Sequence, residues 1–581
     1  MIQLFQAGSL IGMTRRRRYF QEMSVGFRRI RIRTWFHILL AAVIVAGCSN
    51  PGALGAATAT SEIVATPSAQ ISATIQPTST PTPVWEKDTV WFSRSVPAEI
   101  TEKLLSSADW RVVENPQRAA YRVEMLTTSE PPPDTIQVIE WVYALVAPFP
   151  TVPDGLTLLE LRRAWNGGEL ETFGRKPILM DEDTRRVMEV ILGSPANTGV
   201  QVIERDGLLR SAWEQRPALA IVPFDELEAR WKTLRVDGVS PLEREFEPAA
   251  YPLAARWAVR AVRADEPAGK LSSVTNRDPE RMTILTLTGT TALARRLALR
   301  MEEEGILYPA EDIRPWLLEA DLLHVSSEVP FYAACPPAKP LRAGMRFCSD
   351  PKYIELLTSI GTDVVELTGN HIFDWGAEAF LFTLDLYRQH GILTYGGGRN
   401  KEEARRPLLL THNGNRIALL GCNDIGPANI LAAYDQPGAA PCDLDWLESQ
   451  IAALRSQGYQ VVVTFQSLEA EQYPPHSAQR GHFKRMAQAG AVIVSGSQAH
   501  YPQTFSFESS NLIHFGLGNL FFDQMSEGNR RAFIDRHVFY DGRYLGVELL
   551  TTMLEDHAKP RPMTPAERAA LLEAVFAVGE W

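Results

Sequence analysis

The sequence predicts an α/β chain in which two folded domains follow an exported leader. Three observations lead there. Short apolar strands alternate with amphipathic helical stretches from Trp85 onward. In the second half the strands repeatedly run into polar loops, the place where α/β sheets assemble their sites. Ten of the eleven histidines lie at or beyond His324, the exception being His37, so any imidazole chemistry belongs to the C-terminal half. With 581 residues, 45% of them apolar and 22% charged, the chain is globular in composition and long enough for several domains with cores of their own. A formal charge of −11 argues against a nucleic-acid partner.

The leader comes first. Eight arginines precede residue 48, at Arg15 to Arg18, Arg28, Arg29, Arg31 and Arg33, with Glu22 alone opposing them. Behind them Trp35 to Gly47 is an apolar run of thirteen residues. That is short of the roughly 20 that span a bilayer as a helix, and it has the anatomy of a signal peptide. The run closes on Val45-Ala46-Gly47-Cys48-Ser49, which resembles the bacterial lipobox. The resemblance implies removal of residues 1–47, lipidation of Cys48, and an extracytoplasmic protein anchored to the bacterial membrane through that lipid. The remaining chain holds 50 Lys+Arg against 68 Asp+Glu, a net charge of −18, and no other segment is long and apolar enough to span a bilayer. Residues 48–84 are dominated by Ala, Thr, Ser, Pro and Gly, which cannot build a core, so they read as a tether.

Four cysteines remain, in two local pairs. In an oxidising compartment they are expected as the disulfides Cys335–Cys348 and Cys422–Cys442. A four-cysteine zinc site is the alternative, but neither pair has the close ligand spacing such sites favour.

Residues 85–263 are expected as the first domain. Ile136 to Val146 reads as a long strand, Leu158 to Trp165 as a helix, and Ala218 to Val222 as a second strand ahead of a Pro223-Phe224 corner, with Tyr251-Pro252-Leu253 later. This order resembles extracytoplasmic solute-binding domains of the phosphate-binding type, which implies a periplasmic-binding-protein-like α/β fold. No ligand residue carries over from it.

In residues 280–555 the strand-like segments are Thr283 to Thr288, Val364 to Leu367, Arg416 to Leu420, Val461 to Phe465, Ala491 to Ser495 and Leu512 to Phe515. Polar sequences follow: Gly289-Thr290, Ser326-Ser327-Glu328, Gly369-Asn370-His371-Ile372-Phe373-Asp374-Trp375-Gly376, Gln466-Ser467-Leu468, Ser497-Gln498-Ala499-His500 and Gly516-Leu517-Gly518-Asn519-Leu520. Their order and spacing resemble the CapA family of poly-γ-glutamate capsule proteins. The resemblance implies an α+β sandwich of the calcineurin-like metallophosphatase type. It also implies metal ligands at these strand ends, but Thr290, Ser326, Gln466, Ser497 and Gln498 stand where the family carries Asp, Asn or His.

What survives is Glu328, Asn370, His371, Asp374 and His500. From the resemblance, Asn370, His371, His500 and Glu328 would hold one divalent metal, manganese or zinc, or none if the site has decayed. His371 and Asp374 would be the catalytic pair, Asp374 orienting the imidazole. Plainer roles stand beside these: Asp374 as a cap for the helix begun near Glu378, His371 as a brace for its turn, His324 as a satisfied core histidine, and Gly396-Gly397-Gly398 as a turn. Residues 556–581 close the chain as a helix with a capping box at Thr564 and Glu567.

The expected function is work on an anionic surface polymer, poly-γ-glutamate-like, in its synthesis, export or anchoring. Metal-assisted hydrolysis or transfer is one way of doing it, and binding or scaffolding without catalysis on the same fold is the other.

Overall fold

The computed structural model describes residues 87–263, 271–339, 346–468 and 470–581. The signal peptide, Cys48 and the whole tether lie outside these residues. Thr80–Trp581 forms one compact unit, and no helix among the described residues is long and apolar enough to cross a membrane.

The first domain is built on a ten-stranded mixed sheet. Its spine is Thr135–Pro148, a 14-residue strand whose run of Val, Ile, Trp and Tyr suits a ribbon buried on both faces. The start of this strand pairs with Ala254–Ala261. Its end pairs with Leu219–Pro223 and Trp231–Val236, so one strand belongs to two half-sheets. The halves are also latched through side chains. The Ala98 amide, opening the helix Ala98–Ser107, donates to Asp183 at 3.1 Å, and Arg205 pairs with Glu99, Asp181 and Glu226. This is the α/β architecture expected for residues 85–263, and it reaches a little further. Asn276 donates to and accepts from the backbone of Val142, at 2.9 and 2.8 Å, within the first domain's core.

The second domain stacks two sheets face to face, and its strands are labelled here. The first sheet contains β1 (Met282–Thr291), β2 (Leu322–Ser327) and β3 (Val364–Glu366), all mutually parallel. The second contains β4 (Asn415–Asn423), β5 (Gln460–Gln466), β6 (Ile493–Ser495) and β7 (Asn511–His514), again parallel. The first sheet also contains Leu393–Tyr395, parallel to β3 at its edge, β8 (Asn519–Phe521), which pairs with β1, and the antiparallel β9 (Arg531–Tyr540) and β10 (Arg543–Glu555). Leu285, Leu287, Val364, Leu419, Val462 and Ile493 fill the space between the sheets.

Helices cover both outer faces. On the first sheet lie α1 (Arg295–Glu304) and α2 (Gly376–Gln389), burying Leu297, Met301, Phe380 and Tyr387. On the second lie α3 (Leu444–Ser456) and α4 (Ser477–Gln488), burying Ile451, Leu454, Phe483 and Met486. Both cysteine pairs are joined as disulfides.

The two domains share a core. Phe149 of the first meets Phe505, Phe507 and Phe576 of the second edge-on, and Arg568 closes on Asp154. Arg568 belongs to the terminal helix α5 (Pro565–Ala577), which carries the expected capping box between Thr564 and Glu567. The expectation that residues 556–581 are helical throughout is corrected at its start. Asp556 and His557 both adopt left-handed backbone and turn the chain back, so that Lys559–Pro562 pairs with β10 as a strand.

Candidate functional site

The C-terminal ends of β1, β2, β3, β5 and β6 converge, because both sheets are parallel there and packed face to face. Glycine permits two of the closest approaches. A Cβ on Gly369 would lie 2.5 Å from Glu328 Cα, so the loop after β3 rests directly on the end of β2. A Cβ on Gly289 would lie 1.9 Å from Gly518 O, where β1 passes the turn into β8.

At the centre is Glu366, the last residue of β3 and fully buried. One oxygen accepts from Ser326 of β2 at 3.0 Å and from Ser497 beyond β6, while the other accepts from Thr368 at 2.7 Å. His324 Nε2 stands 3.5 Å away and also meets the Tyr395 hydroxyl at 3.0 Å. Burial pushes the Glu366 pKa up, but the hydrogen bond and charge of His324, with the hydroxyls of Ser497 and Thr368, outweigh it and leave the pKa below the usual range. Sequence reasoning missed this residue. A carboxylate inside the apolar stretch Val364-Val365-Glu366-Leu367 was the available signal, since a buried charge needs partners.

Glu328 and His500 meet at one edge of this centre, with His500 Nε2 3.2 Å from Glu328 Oε1. Behind them Asn519 sets the imidazole. Its amide donates to Asn529 O at 3.1 Å and to Gln524, which leaves Oδ1 to accept from His500 Nδ1 at 2.8 Å. The proton is therefore on Nδ1, and Nε2 faces Glu328 Oε1.

His371 lies on the chain of turns that follows Gly369. Its Nδ1 is 2.9 Å from Asp374 Oδ2, which also accepts from the Phe347 amide at 2.7 Å. Asp374 therefore serves His371 and the 335–348 loop and does not cap α2, whose N-cap is Trp375 with no side-chain bond. Asn370, half-buried, is next to His371 on the same loop. His324 is in the core as expected, with Nδ1 lacking a hydrogen-bond partner. Gly397–Gly398 forms a short pairing with Gly438–Ala439 after a left-handed Gly396, in place of a plain turn.

Phe347 and Phe522 connect the two histidines. Phe347 packs edge-on against His371 with centroids 4.8 Å apart, and Phe522 lies 4.6 Å from the His500 ring. The Arg295 guanidinium sits over both, at 5.3 and 5.5 Å, and is held by Asp523. Arg295 has φ +55°, a left-handed conformation that costs a non-glycine residue about 1 kcal/mol.

The remaining strand-end residues are neutral. Thr290 Oγ1, Gln498 Oε1 and both amide atoms of Gln466 are buried without a protein hydrogen-bond partner. Among the described residues no three His, Cys, Asp or Glu side chains gather as a metal cage. Glu328 and His500 are paired with each other, and a hydroxyl or carboxamide is a weak ligand for a divalent cation. The donor set does not fit a bound metal.

The family model described as bacterial capsule synthesis protein PGA_cap matches residues 284–524. The capsule biosynthesis protein CapA of Bacillus anthracis is 24% identical over 302 residues, covering 51% of this chain and 73% of that protein. The PGA biosynthesis protein CapA of Bacillus subtilis (strain 168) is 27% identical over 174 residues, covering 29% of this chain and 45% of that protein. An ABC-type phosphate transport receptor from Vibrio cholerae aligns structurally with 31% of this chain and 88% of its own, at 14% identity and a TM-score of 0.26.

Proposed function

Residues 284–524 belong to the bacterial capsule synthesis protein PGA_cap family, and on that premise we propose that this chain binds an anionic capsule polymer at the strand-end centre and serves its synthesis, export or anchoring without metal catalysis. The protein works outside the cell, held to the membrane by a lipid on Cys48. The polymer is of the poly-γ-glutamate kind, with an amide in every repeat and a carboxylate beside it.

The observation that carries this reading is Gln466. It ends β5 with both amide atoms buried and unmatched, at the position where the family resemblance places a histidine. A buried donor and acceptor left open together cost stability, and a ligand amide meets both at once. The neutral Thr290 and Gln498 extend the same hydrogen-bonding surface, whereas a metal needs charged or imidazole donors there.

The test uses Thr80–Trp581 and a γ-linked glutamate oligomer. Binding should be measurable, and Gln466→Leu should weaken it with stability unchanged or raised, because the substitution removes both unmatched atoms. Elemental mass spectrometry of the same protein should find less than a molar equivalent of manganese or zinc. One equivalent that disappears in His371→Ala/His500→Ala, together with hydrolysis of the oligomer, would replace this reading with a metalloenzyme.

A further inference from the structure

Beside the strand-end centre, a cavity of about 390 Å³ opens between α1 and the residues next to the Cys335–Cys348 disulfide, Pro336 to Lys339 and Arg346 to Phe347. Four cations line it, Arg295, Lys339, Arg346 and Lys352, against two carboxylates, Glu302 and Asp350. Both carboxylates are engaged. Lys352 is 2.6 Å from Glu302 and 3.8 Å from Asp350, and the Tyr353 hydroxyl also donates to Glu302. Arg295 is neutralised by Asp523.

Lys339 and Arg346 are different. Both are exposed, and among the described residues no carboxylate pairs with either. Arg346 is oriented by a neutral acceptor, its Nε donating to Asp374 O at 2.9 Å, and by the Trp375 ring 4.8 Å beneath the guanidinium. A guanidinium fixed without a counter-charge is preorganised for an incoming carboxylate. The setting sharpens the contrast, because the chain beyond residue 47 carries −18 and repels anions generally.

Two side chains of the cavity wall connect it to the centre's histidines. Phe347 and Arg295 line it, and these are the side chains that pack against His371 and, through Phe522, against His500. We propose that this cavity is a subsite for successive carboxylates of an anionic oligomer, with Lys339 and Arg346 as its primary contacts, leading the chain to the strand-end centre. The proposal rests on the polymer-binding reading and adds where the charge of the polymer is recognised.

The experiment is fluorescence anisotropy on the full chain in detergent, with a labelled γ-linked glutamate decamer and, as its neutral counterpart, a γ-linked isoglutamine decamer whose α-carboxamides replace the carboxylates. Lys339→Glu/Arg346→Glu should weaken the glutamate decamer roughly tenfold or more and reduce the salt dependence of its binding. Arg388→Glu, an exposed charge reversal elsewhere on α2, should leave affinity near wild type. The bound decamer should also protect Lys339 from acylation by an amine-reactive reagent, a readout that needs no variant.

Unchanged affinity in the double variant, an equal loss in Arg388→Glu, or undiminished acylation of Lys339 would each overturn the subsite. A wild-type chain that binds neither decamer would overturn the polymer-binding reading itself. Equal binding of the two decamers, lost in Gln466→Leu, would keep that reading and remove this subsite.

Discussion

Glu328 and His500 meet at 3.2 Å although one follows β2 of the first sheet and the other follows β6 of the second. This contact joins the two sheets at the candidate site, and Asn519 determines its protonation. Long-range heteronuclear NMR should show His500 protonated at Nδ1. Asn519→Leu should abolish that pattern while the His371 signals stay in place. A wild-type ring with Nδ1 unprotonated would refute the assignment.

Glu366 ties three strand ends through hydroxyl donors. Glu366→Gln turns amide hydrogens toward groups that now donate, and should destabilise the protein by about 2 to 4 kcal/mol in urea unfolding. The folded-state pKa of Glu366 is below its unfolded value. Its contribution is therefore present above the unfolded pKa near 4.5 and disappears as pH falls through the lower folded value. An unfolding midpoint within error of wild type at pH 7 would contradict this.

Asp154 and Arg568 lock the first domain to the terminal helix. Burial would raise the Asp154 pKa, but the hydrogen bond from Arg568 and the charges of Lys232 and Arg568 bring it down to about 2. The contribution is present above pH 3.8 and lost as pH approaches 2. Because 43% of the Asp154 side chain is open to solvent, screening limits the expected cost of Asp154→Asn to about 1 kcal/mol. Hydrogen exchange should show α5 loosening before the sheets do.

His537 is fully buried on β9. Burial, opposed by the charge of Asp535 and reinforced by His514 and His324, holds its pKa at about 4. The unfolded chain binds a proton at His537 between pH 4 and 6.5 that the folded chain does not, so stability should rise across that window by up to about 3 kcal/mol. His537→Phe should flatten the slope. A slope identical to wild type would show that another group carries it.

Much of the second domain was legible because its signals are local. Each strand is an apolar run ended by glycine or a polar cluster, and Gly369-Asn370-His371 and Gly516-Leu517-Gly518-Asn519 mark turns that a side chain would block. Asp374 was less legible. Its position before an amphipathic run equally suits a helix cap, and the deciding partner, the Phe347 amide, arrives from another loop. Arg295 left no mark at all, since its role depends on two rings distant in sequence.

The sequence by itself determined the strands that lead into the site's polar loops, both cysteine pairings, the α/β class of each domain and the depletion of charged ligands at the strand ends, because these follow from hydrophobic periodicity, turn chemistry and residue identity along a short window. Only the tertiary structure decided that Glu366 is the hub, that Asn519 sets the proton on His500, and that Lys339 and Arg346 face a cavity without counter-charges. Those properties are sums over neighbours brought together by sheet packing. Burial and Coulomb interactions depend on distance in space, and a linear sequence does not carry that distance.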